Sequence, residues 1–199
     1  GQVYSRFSRE KHLINELPFP LENEVLKIGI DFNVMNCNAV VAVTTGGKLI
    51  VVDEIVRQQD TDALAREIKR RYGNNKIFVY PDASGAARST INASKTDIAI
   101  LEGYGFTNMA LRSNPPIKDR VQTLQAVLEN SKGHIRMSIY SKATRLIECL
   151  ELQSYDEKTG DPDKQNGYDH LNDALGYLCY REFNMIYSRA GQKTGIRIY

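Results

Sequence analysis

The sequence predicts an α/β domain in which a mixed five-stranded sheet, in the order 3-2-1-4-5, is flanked by helices. Three observations predict it. Apolar runs joined by short turns over residues 25–56 describe an antiparallel meander. Helix-period and strand-like stretches then alternate from Asp60 onward. A length of 199 residues with 42% hydrophobic content supplies one core of single-domain size.

Each element has its own signal. Residues 1–24 mix charges with Pro18 and Pro20 and hold no period, which predicts an arm or linker with one short strand over 3–7. The folded domain is expected to begin at Val25, where Leu26-Lys27-Ile28-Gly29-Ile30 runs into Asp31. Residues 38–45 make a second strand, and Gly46-Gly47 turns the chain into a third over 48–56. Asp60-Thr61 suits a helix cap, with Ala63, Leu64, Ile68 and Tyr72 at helical spacing behind it and Gly73 as its stop. The run Lys76-Ile77-Phe78-Val79-Tyr80 reads as a central strand ending at Pro81-Asp82. A polar loop over 84–94, a helix over 95–104 and a strand over 107–112 follow. Pro115-Pro116 then opens a helix over 117–130, with Val121, Leu124, Val127 and Leu128 on one side. A short strand over 134–140, a helix over 141–152, a polar loop or hairpin over 154–167 and a long helix over 168–187 complete the domain, leaving a basic tail at 188–199.

A net charge of +2 permits a polyanionic partner without demanding one. Cys37, Cys149 and Cys179 are odd in number and widely spaced, as expected of free core thiols in a reducing compartment. No apolar run approaches the roughly 20 residues of a membrane span, and no signal-peptide pattern opens the chain. The chain is therefore expected to be intracellular, with no membrane partner. It begins at Gly1 rather than Met, as a piece of a longer polypeptide would.

The chemistry concentrates on acids. In Asp169-His170-Leu171-Asn172-Asp173, the last residue is the one charged side chain between Leu171 and Tyr180. An ionised carboxylate in such a stretch is costly to bury, so Asp173 is either paired with Lys or Arg or holds a metal. Asp31 ends the first strand and Asp82 the fourth. A helical crossover makes these strands parallel, and as neighbours about 4.8 Å apart they would open both acids on one sheet edge. Each also has a local reading, Asp31 as a strand-end cap and Asp82 as a turn starter. Together with Asp173 they would form an oxygen site suited to Mg²⁺ or Mn²⁺ rather than zinc. Two such ions about 3.5–4 Å apart can activate water and stabilise the leaving oxygen of a phosphodiester. Asp169 is either a further ligand or a helix-start acid favoured by the dipole. His170 is a solvated residue, a donor behind a ligand or a weak metal partner. Asp53, Asp60, Asp97 and Asp119 read as surface or capping acids, and His12 and His134 have no ligand-like neighbours.

Three segments in this order, Ile28-Gly29-Ile30-Asp31-Phe32-Asn33, Val79-Tyr80-Pro81-Asp82-Ala83-Ser84-Gly85 and Tyr168-Asp169-His170-Leu171-Asn172-Asp173-Ala174, resemble the C-terminal nuclease domain of the large terminase subunit of tailed bacteriophages. The likeness spans about residues 3–187, with Asn33 departing from the small residue usual there. It implies an RNase H-like fold and an endonuclease that cuts concatemeric double-stranded DNA during genome packaging. It also implies two divalent ions, Mg²⁺ or Mn²⁺, on Asp31, Asp82 and Asp173, with His170 and Asp169 close by. Expected partners are double-stranded DNA, an upstream ATPase domain of the same polypeptide, the small terminase subunit and the portal protein. The expected location is the host cytoplasm, transiently on the viral procapsid. The chain has no phosphate-binding Gly-rich loop ending in Lys and Ser or Thr, so ATP hydrolysis is not expected of this piece.

Arg88, Arg112, Lys118 and Arg120 follow the strand ends and are either DNA phosphate contacts or ordinary solvated charges. No recognition-helix pattern predicts base reading. Two other functions stay open: a docking module binding portal or capsid through residues 189–199, and a junction resolvase or transposase-like enzyme.

Overall fold

The computed structural model describes residues 1–86 and 96–194, with side chains up to residue 183. In chain order the elements are α1 (Arg9–His12), β1 (Leu13–Ile14), β2 (Leu26–Asp31), β3 (Cys37–Thr45), β4 (Lys48–Gln58), α2 (Thr61–Tyr72), β5 (Ile77–Pro81), α3 (Asp97–Gly103), β6 (Thr107–Asn108), α4 (Ile117–Leu128), β7 (Met137–Tyr140), α5 (Thr144–Leu152) and α6 (Asp169–Thr194). They form a seven-stranded mixed sheet in the order β1-β7-β4-β3-β2-β5-β6. Its β4-β3-β2-β5-β6 portion has the expected order of five. The correction lies at the meander edge, where β7 runs parallel to β4 and β1 runs parallel to β7. β7 falls within the short strand expected over 134–140, but its place in the sheet and the two-residue β1, too short to carry a sequence period, do not stand out.

The meander closes with Thr45 opposite Lys48 across Gly46-Gly47. Along β3, Val40 and Ala42 face one core while Val41 and Val43 face the other, so the period of two is filled by apolar residues on both sides. Helices α4, α5 and α6 cover the first face and α2 and α3 the second. The N-terminal segment departs from expectation. It has no strand over 3–7; instead Val3, Tyr4 and Phe7 bury themselves in the first core, and the Val3 amide donates to the Gln153 carbonyl at 2.9 Å. The folded core thus starts well before Val25. His12 is buried too, its ring nitrogens 2.9 Å from the Ser8 carbonyl oxygen and 3.0 Å from that of Leu128. Asp97 is likewise no surface acid: it is fully buried and accepts from Thr61 Oγ1 at 2.7 Å. Asp60 caps α2 through the Ala63 amide at 2.8 Å. All three cysteines are buried free thiols. No helix among the described residues is long and apolar enough to cross a membrane.

One contact sets the position of everything that follows. Helix α6 crosses β2 so closely that a Cβ on Gly29 would lie 2.0 Å from the Ala174 carbonyl oxygen. Only glycine leaves that space. Farther along, Glu182 pairs with Lys27 and accepts from Tyr80 Oη at 2.7 Å, tying α6 to β2 and β5.

Candidate active site

Strands β2 and β5 are parallel neighbours with Ile30 opposite Pro81, and the Asp82 amide donates to the Ile30 carbonyl at 3.0 Å. Asp31 and Asp82 therefore leave the same sheet edge side by side. Asp82 Oδ1 accepts from Asn114 Nδ2 at 2.6 Å and from the Ser84 amide at 2.8 Å, while Asn114 Oδ1 accepts from the Ala83 amide at 2.8 Å. Asn114 thus clamps both the acid and the turn behind it.

Because Ala174 lies against Gly29, its neighbour Asp173 is delivered toward these strand ends. Asp173 Oδ1 accepts from Arg120 Nη2 at 2.8 Å, and Lys164 Nζ stands 4.0 Å from Oδ2. Burial pushes this carboxyl up to about 6, with Asp31 and Asp169 adding to the rise and Arg120 and Lys164 opposing it. The local cations leave its charge incompletely compensated. Asp31 Oδ2 lies 3.0 Å from His170 Nδ1, so Nδ1–H donates to the carboxylate, and that hydrogen bond raises the imidazole above its ordinary value. Asn33 Nδ2 reaches the same nitrogen only at 3.5 Å. Asp169, the first residue of α6, is buried, and its Oδ1 has no hydrogen-bond partner among the described residues; burial lifts this carboxyl as well.

Among the described residues, no three His, Cys, Asp or Glu side chains are gathered tightly enough to form a metal cluster as they stand. The donor chemistry nevertheless fits a hard divalent cation. Asp31 and Asp82 are adjacent carboxylates, Asp173 lacks full compensation and Asp169 carries an orphaned buried oxygen.

Residues 28–182 match the sequence profile of the family described as the Terminase RNaseH-like domain. The chain belongs to that family. Solved structures carry the same fold at low identity. A large terminase from a thermophilic bacteriophage superposes with a TM-score of 0.72 at 18% identity, covering 92% of this chain and 45% of that one. This terminase domain therefore spans about half the length of that relative. The P22 large terminase nuclease domain gives a TM-score of 0.66 at 15% identity, with 89% and 90% covered. The nuclease domain of the large terminase g2p from bacteriophage SPP1, solved with bound Mn, gives 0.57 at 17%, with 86% and 97% covered. No curated protein matches at the sequence level.

The basic residues of the terminase domain divide. Arg112 and Lys118 are exposed on the segment that leaves the Asp31–Asp82 edge after β6. Arg120 is not a surface cation, which corrects its reading as a DNA contact. It is 4% exposed, its guanidinium lies 4.4 Å over the Tyr177 ring, and its stem fills the space where a Cβ on Gly176 would meet Cγ at 2.8 Å. The sequence carries a signal for this. Arg120 lies on the same helical face as Leu124 and Val127, an apolar stripe where a lone cation needs a buried partner. Asn114 and Lys164 have no comparable signal, being single polar residues in aperiodic loops. Arg88 falls outside the described residues, as do the side chains of the 188–199 tail.

Proposed function

We propose that this terminase domain is a divalent-metal-dependent endonuclease that cuts concatemeric double-stranded DNA during genome packaging. The carrying observation is the convergence on one sheet edge of Asp31 and Asp82 with Asp173, whose buried carboxyl is pushed up to about 6 despite Arg120. Asp31, Asp82 and Asp173 would hold two ions, Mg²⁺ or Mn²⁺, with Asp169 beside them. When bound, such ions supply an activated water and a counter-charge for the leaving oxygen.

The chain's own groups do the remaining work. Asn114 fixes Asp82, and His170 Nδ1–H orients Asp31 Oδ2. Arg120 fixes one oxygen of Asp173 and leaves the other toward Lys164. Arg112 and Lys118 are placed to meet backbone phosphates of the duplex. The reading draws support from the SPP1 domain with bound Mn and from a large terminase nuclease of the thermophilic phage G20c with bound magnesium. It extends to an ATPase domain in the same polypeptide, to the small terminase subunit and portal as partners, and to action in the host cytoplasm on the procapsid.

Supercoiled plasmid incubated with the chain and Mn²⁺ should be nicked and then linearised. Asp31→Asn and Asp173→Asn should lose this activity while retaining a folded circular dichroism spectrum. An intact plasmid with the parent chain, or equal cutting by the variants, would overturn the reading.

A further inference from the structure

Beside the carboxylates lies a cavity of about 190 Å³ whose walls, among the described residues, include Asn36, Arg57, Arg145, Asn166 and His170 and no acid. We propose that it is a phosphate-binding subsite, taking a backbone phosphodiester of the DNA flanking the one that is cut. For the identity of its ligand, the proposal rests on the nuclease reading above.

Size selects among ligands. The volume corresponds to about six waters at roughly 30 Å³ each. That admits one phosphate with part of its hydration, and it is well below the roughly 300 Å³ at which pockets for larger organic ligands begin.

Charge and backbone agree with an anion. Arg57 is exposed, and among the described residues its guanidinium has neither an ion pair nor a hydrogen bond. It occupies the left-handed region, φ 54°, which a residue with a Cβ adopts only under strain. Its amide is fixed in that conformation by Asn38 Oδ1 at 3.1 Å. Arg145 is anchored instead. It donates to Glu148 Oε2 at 2.5 Å and to the Gly167 carbonyl at 3.2 Å, and it stacks 4.9 Å over the Tyr168 ring. One arginine is thus pre-positioned and the other is free to close on a ligand. The N-terminus of α5 does not compete, because Glu54 already accepts from the Arg145 and Leu146 amides at 3.0 and 2.7 Å. Since His170 lines the cavity and also holds Asp31, a phosphate seated there would fix the strand relative to the cutting edge.

The test is the salt dependence of binding to a short blunt-ended duplex in EDTA, where no cutting occurs, for the parent chain, Arg57→Gln and Arg57→Gly. The glycine variant removes the cation while relieving the left-handed strain, so its melting temperature should equal or exceed the parent's. Both variants should bind several-fold more weakly near 0.1 M salt, with the slope of log K against log salt shallower by about 0.9, the loss of one phosphate contact. Slopes equal to the parent's, or no duplex binding by the parent, would overturn the subsite. Failure of the nuclease reading looks different: the parent would show the salt effect and its loss in the variants, yet leave plasmid intact with Mn²⁺.

Discussion

The end of β5 and the helix facing it hold their carboxylates in opposite ways. Asp82 is held by neutral donors, Asn114 and a turn amide, at the rim of the sheet. Asp173 is carried on a buried helix and held by a buried guanidinium, with its carboxyl pushed up to about 6. Neutral donors orient an acid and leave its charge for a ligand. A buried cation stabilises the acid when no ligand is bound, and it links the acid's geometry to the packing of α4 against α6. The difference teaches that Asp82 is preformed by hydrogen bonds around its own turn, while Asp173, and Asp31 through His170, depend on how α6 packs on the sheet.

That contrast can be broken most severely at Arg120. Arg120→Ala removes one partner of a buried pair and should cost about 3–5 kcal/mol at pH 8, read by urea denaturation. The cost should shrink near pH 5, where the stranded Asp173 carboxyl takes up a proton; equal loss at both pH values would show that stem packing on Gly176, rather than charge, dominates. Next in size, Gly29→Ala drives a methyl group into the Ala174 carbonyl. Overpacking of this kind costs about 1–3 kcal/mol, and because the obstacle is backbone the upper end is expected, together with loss of cutting as Asp173 is displaced.

The helix side also carries a pH signature. The folded Asp173 carboxyl, at about 6, lies above its ordinary value of 3.8, so the folded chain binds a proton that the unfolded chain has released. The resulting stabilisation is fully present below about pH 4 and is lost as pH rises through about 6. It amounts to roughly 2–3 kcal/mol. Subtracting the melting curves of Asp173→Asn from those of the parent in EDTA isolates it, since Asp169 and Glu54 titrate in both proteins; a pH-independent difference would contradict the contrast. The smallest effect is expected on the strand side. Asn114→Ala should cost only about 1 kcal/mol in stability, yet slow cutting by about tenfold or more as Asp82 loses its clamp.

The same contrast explains what is legible in the sequence. Asp31 and Asp82 are readable because each terminates an apolar run, and the Gly46-Gly47 turn fixes the meander between Thr45 and Lys48. Asp173 is readable as a charge among apolar residues, and of its two alternatives the ion pair is the one present, with Arg120. Arg120 is easily misplaced because it stands in the first turn of α4, just past a strand end, whereas its spacing to Leu124 and Val127 already puts it inside. Val3, Tyr4 and Phe7 resemble an arm because three apolar residues among polar ones have no period; their burial arises from a turn rather than a strand.

The sheet is bounded at both ends by strands of only two residues, β1 and β6. A long, flat outer strand would display a row of unpaired amides and carbonyls on which another chain could build. Here that row is cut short on each side, and the longest strands, β3 and β4, lie in the interior, each with a neighbouring strand on both sides. Truncation of the borders therefore guards the sheet against edge-to-edge pairing without calling on the exposed basic residues Arg112 and Lys118.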